Sequence, residues 1–111
     1  MRGKAEIRAG ICGFKTTCSA ASDDDQNVTF EIESECEKIR AFAARLKETG
    51  EVDAFEEISA KGESVVLSTS REMLKGCCGA CAAPIGIFKA MQVAAGIALP
   101  KDISIQVRKE D

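Results

Sequence analysis

Residues 85–98, directly after Pro84, contain only Lys89 and Gln92 as clearly polar side chains. Proline is well suited to the first helical position, and Pro100 provides a stop, so the spacing predicts a helix over 85–98. A surface helix needs a polar face about as wide as its apolar one. This one lacks it, so the chain must either wrap the helix in its own fold or cover it with a partner subunit.

At 111 residues the chain has the length of one domain with one core, over 1–111. A hydrophobic share of 45% with 30% charged residues marks a globular chain, and with only five Phe and no Trp or Tyr, aliphatic side chains must fill the core. The net charge of −3, with Lys and Arg dispersed, offers no basic stripe for phosphates, so nucleic acid is not expected as a partner, and neither is a membrane. Arg2, Lys4, Glu6 and Arg8 stand where a secretory signal needs its apolar core, which points to the cytosol.

Residues 4–11 alternate polar and apolar as a half-buried strand, and Val28, Phe30 and Ile32 alternate with Thr29, Glu31 and Glu33 as a second. The stretch 12–26, rich in Ser, Thr and Asp, reads as a loop, with Asp23-Asp24-Asp25 as a solvated turn. Ser34 with Glu37 reads as a capping box opening a helix whose apolar stripe is Cys36, Ile39, Phe42, Ala43 and Leu46 and which Gly50 ends. Asp53 with Glu56 opens a short helix to about Lys61, and Thr69 with Glu72 opens another through Leu74; Val65-Val66-Leu67 is too short to assign. Ile103, Ile105 and Val107 alternate with polar residues as a last strand. The expected fold is α+β, in strand, strand, four helical pieces, strand order: a two-layer sandwich with a sheet of three or four strands and helices on one face.

Six cysteines and no histidine then set the chemistry. In a reducing cytosol permanent disulfides are disfavoured, which leaves metal binding, thiol chemistry or packing. The lack of imidazole excludes mixed Cys/His zinc sites and the dyads and triads of most hydrolases. Cys78-Gly79-Ala80-Cys81 is a Cys-x-x-Cys spacing that lets two sulfurs meet one ion or form a small disulfide at a helix start. Cys36 is assigned to the second helical position, and Cys81, with no acidic residue from Lys75 to Gln92, is the better site for a lowered thiol pKa. If the strand before Cys36 and the last strand run parallel, Cys36 and the 77–81 cluster share one sheet edge.

The expected ligands of an iron–sulfur cluster or zinc are therefore Cys12, Cys36, Cys78 and Cys81, with Cys18 and Cys77 as substitutes. The alternative is thiol-redox or sulfur-carrier chemistry with Cys81 as the acting thiol, Cys78 resolving, and a redox or sulfur-transfer protein as partner. A third reading has no cofactor: the cysteines pack and the 85–98 helix forms a homodimer.

Cys81-Ala82-Ala83-Pro84 followed by Ile85-Gly86-Ile87-Phe88-Lys89-Ala90 resembles the Cys-Pro-x-Pro helix start of small sulfur-carrier proteins, with Ala82 at the first proline. That resemblance implies a persulfide on Cys81. Cys78-Gly79-Ala80-Cys81 is also similar to a thioredoxin active site, without its preceding Trp. The whole chain resembles small cysteine-rich proteins of anaerobic prokaryotes whose function is unknown, which implies an oxygen-sensitive site and no particular activity.

Overall fold

A computed structural model describes residues 1–59 and 61–111. Four antiparallel strands, β1 (Arg2–Arg8), β2 (Lys15–Ala21), β3 (Asn27–Ser34) and β4 (Val52–Asp53), form a sheet in the order β1-β2-β3-β4. The helices are α1 (Glu37–Thr49), α2 (Ala54–Glu57), α3 (Val65–Met73) and α4 (Ala83–Ala94), with short 3₁₀ turns at Gly10–Cys12 and Gly76–Ala80. The α+β class is as expected, with the helices against one sheet face.

Strand pleating sorts the two faces. Gly3, Ala5 and Ile7 of β1 stand opposite Ala20, Cys18 and Thr16 of β2, which in turn meet Phe30, Ile32 and Ser34 of β3. This inner face carries the core, while Lys4, Glu6, Arg8, Glu31 and Glu33 point to water on the other.

The small inner residues exist for α4. A Cβ on Gly3 would collide with the Ala90 carbonyl oxygen, and one on Gly86 with the side chain of Ile7. Helix and strands thus approach closer than larger side chains permit. Ala83, Pro84, Ile87, Ala90, Met91 and Ala94 are buried, so the apolar helix is central to its own fold. Although Gly76–Ala94 is apolar and long enough to cross a membrane, it breaks at Cys81, whose ψ of 134° is extended, and its helical part packs on the sheet.

Several sequence expectations need correction. The expected loop 12–26 contains all of β2, whose buried residues Thr16, Cys18 and Ala20 are too small or polar to show as a hydrophobic alternation. The loop proper is the β2–β3 turn, where the Asp24 carboxylate accepts from the Gln26 and Asn27 backbone N–H groups at 3.0 and 2.7 Å and from the Asn27 amide at 2.8 Å.

Second, α1 begins after Cys36, which is its N-cap; Ser34 Oγ accepts from the Cys36 N–H at 3.1 Å, and the Ser34–Glu37 box does not form. Third, no helix opens at Thr69. Val65-Val66-Leu67 is the first turn of α3, and Thr69 is buried within it. The cap is tertiary: Glu57, itself buried, accepts from the backbone N–H groups of Val65 and Val66 at 2.6 and 2.8 Å and from Ser64 Oγ at 2.8 Å. Asp53 does cap α2, but that helix ends at Glu57, and the expected run to Lys61 crosses residue 60, outside the described residues.

Fourth, α4 stops at Ala94, before Pro100. Gly96 (φ 76°) accepts the left-handed conformation, its N–H bonds the Val93 carbonyl, and the Ile97 N–H bonds that of Gln92, a Schellman stop. The expected last strand does not form: Ile103, Ile105 and Val107 lie in an exposed segment with no helix or strand.

Candidate functional site: a thiol-rich end of the sheet

The meander brings the cysteines to one end. Because β1 and β3 each run antiparallel to β2, their carboxyl ends coincide, and Cys12 follows the one while Cys36 follows the other. Since Ala90 lies over Gly3 and Gly86 over Ile7, α4 runs back along β1 and begins at that same end, just after Cys81. The expected shared edge is thus reached by a different route, since residues 103–107 form no strand parallel to β3. The unforeseen β2 also puts Cys12 on this edge.

Cys36, Cys78 and Cys81 pack, half-buried, around the small cluster of Ile7, Ile39, Leu74 and Ala83. Cys78 and Cys81 are three apart across a 3₁₀ turn, whose three-residue period aligns them on one side, and the Cys81 N–H bonds the Cys78 carbonyl at 3.1 Å. Cys77 falls on the exposed side. Cys12 is exposed in its turn, with its thiol 3.9 Å from the Ala9 carbonyl oxygen. Cys18 is sealed in the main core at 1% exposure, and burial pushes its thiol up to about 12. All six are free thiols.

Burial also pushes the Cys81 thiol up from its ordinary value; the Ala83 backbone N–H pulls it down, and charge on Cys12, Cys36 and Cys78 raises it further. This reverses the expectation of a lowered pKa. The absence of acidic neighbours in sequence mattered less than desolvation and three converging thiols. Beside Cys81 opens a recess of 340 Å³, walled by Leu67, Arg71, Leu74 and Ile85.

One contact at this end escaped the sequence reading. Lys38 Nζ lies 3.6 Å from Cys78 Sγ, a contact across forty positions. A lysine in the first turn of a helix opposes the dipole, and that misplacement was the available signal that it answers something else. Among the described residues, no three Cys, Asp or Glu side chains stand close enough together to grip one metal ion as placed.

A family model covers residues 3–107, nearly the whole chain. The chain belongs to DUF6951, a family of unknown function. The span matched to DUF6951 takes in all six cysteines and the exposed apolar tail as far as Val107. No curated protein and no solved structure matches the chain.

Proposed function

We propose that this DUF6951 protein binds a soft metal or an iron–sulfur cluster through Cys12, Cys36, Cys78 and Cys81. The observation that carries the reading is the convergence of four thiols, from segments far apart in sequence, at one end of the sheet. Charge on Cys12, Cys36 and Cys78 opposes ionisation of Cys81, and a bound cation removes that cost. Thiolate sulfur without imidazole suits zinc or iron–sulfur chemistry. Rotation about the Cα–Cβ bonds has to bring the sulfurs onto one ion. Lys38, beside Cys78, offsets the negative charge of a four-thiolate site.

The test is anaerobic expression with iron and sulfide, followed by iron, zinc and acid-labile sulfide analysis. Stoichiometric metal, lost in Cys36→Ser and retained in Cys18→Ser, is the expected result. A colourless, metal-free protein overturns the reading.

The Lys38–Cys78 contact favours a second reading, thiol–disulfide exchange, with the two roles reversed from the sequence expectation. Cys78 attacks a partner's disulfide and releases one partner thiolate; Cys81 then loses its proton, displaces the other, and closes Cys78–Cys81. The partner gains two electrons and this pair loses two. Lys38→Ala separates the readings: it slows alkylation of Cys78 under exchange chemistry, whereas metal content is unchanged if the site is a metal centre that Lys38 only supports.

A further inference from the structure

Two unsatisfied features of the protomer match each other. The first is the tail. Leu99, Ile103, Ile105 and Val107 are 89, 50, 70 and 90% exposed, yet Ile103, Ile105 and Val107 alternate with Ser104 and Gln106 as a strand does. The side-chain bonds of the segment run within it, from Arg108 to Gln106 and from Lys109 to Asp111.

The second is the outer edge of β3. β4 covers only Asn27 and Val28, which leaves 29–34 without a strand partner on that side among the described residues. Between this edge and α1 runs an open groove of 540 Å³, floored by Phe30, Ile32, Ala43 and Leu46. An unpaired edge beside an apolar groove is the geometry that accepts an added strand.

We propose that residues 101–109 of one copy add as a strand to 29–34 of a second copy, reciprocally, so that the protein is a strand-exchanged dimer. Ile103, Ile105 and Val107 then enter the groove, while Arg108 lies on the outer face with Glu31 and Glu33. Charge selects this edge over the other. Residues 101–109 carry Lys101, Arg108 and Lys109 against one acidic residue, Asp102. β3 presents Glu31 and Glu33, with Glu35 just beyond, whereas β1 presents Arg2, Lys4 and Arg8 against Glu6 alone and repels the tail. The exchange occurs between copies because the tail stands off its own sheet, exposed throughout from Leu99 in a molecule measuring 48 × 28 × 28 Å. Reciprocal exchange about a two-fold axis closes the assembly at two.

The experiment is sedimentation equilibrium of the full chain, with excess reductant to exclude disulfides through Cys12 or Cys77, and with hydrogen exchange read at several concentrations. A dimer is expected, with amides of 29–34 and 103–107 protected only as it forms. Ile105→Asp alters an exposed residue, so it keeps the circular dichroism and weakens the dimer about tenfold or more. Glu31→Lys/Glu33→Lys weakens it too, and Arg108→Glu added to that variant restores part of it. A monomer at every concentration, a dimer indifferent to Ile105→Asp, or protection of 29–34 that does not depend on concentration, as when the tail folds onto its own groove, each overturns the proposal.

Discussion

Glu57 shows how much one side chain carries. The residue is 5% exposed, and its carboxylate satisfies two backbone donors of α3 and the Ser64 hydroxyl. Glu57→Ala strands those donors, and a loss of about 2 kcal/mol is expected in chemical denaturation, with Glu57→Gln milder because it keeps one acceptor. An equal loss from both would show that bulk, and not acceptance, is what Glu57 supplies. Asp24 acts in the β2–β3 turn: Asn27 and Gln26 hold its carboxyl down from 3.8 to about 2. The folded value lies below the unfolded one, so the turn's contribution is complete above pH 4 and is lost as pH falls through about 2. Asp53, held low first by the Gln26 amide, adds to the same acid limb. The acid limb of a stability–pH curve is expected to be shallower in Asp24→Asn; an unchanged limb would sink this account. The acidic triplet was legible as a turn, because Asp competes for local backbone donors wherever it stands. Glu57 was not, since its partners begin seven positions on.

Among the elements, α4 and its two strands succeed or fail together. Gly3→Val places a side chain against the Ala90 carbonyl in a sheet-to-helix contact with no room for it. The expected outcome is a loss of roughly 1–3 kcal/mol, or failure to fold, by denaturant titration. Gly86→Ala is the informative control. In a free helix alanine would stabilise by about 1 kcal/mol, but here its methyl meets Ile7, so no gain or a loss is expected, and Ile7→Ala in the same chain should recover part of it. The strand β2 went unread in sequence for the same reason: inner residues chosen small to admit α4 leave little hydropathy to see. Helix α1, with its larger stripe of Ile39, Phe42 and Leu46, was legible in its buried face and in its end at Gly50, though it starts two residues later than the sequence suggested.

For the molecule as a whole, the thiol end and the tail edge bear on stability in different ways. If the thiol end holds metal, the ion binds only the folded state, where four thiols converge. Metal at about a hundredfold its Kd should then add about 2.7 kcal/mol, read as a raised Tm that a chelator reverses. Cys78→Ser should abolish that shift while Cys77→Ser, altering an exposed thiol, leaves it. A Tm that metal does not move in the wild type would contradict the metal reading and leave exchange chemistry at Cys78.

The local periodicities were sufficient for the class of fold and for β1, β3, α1 and α4, because each depends on residues within one or two turns of chain. Which cysteines meet, which one is sealed in the core, that Cys81 is raised, and that Lys38 reaches Cys78 were decided by the meander and by how α4 lies along it. Those are consequences of contacts between segments tens of residues apart, where desolvation and mutual charge depend on three-dimensional neighbours. The tail differs from both: its alternation suggested a strand, and the structure leaves it exposed without one, because a strand needs an edge to pair with as well as an alternating pattern.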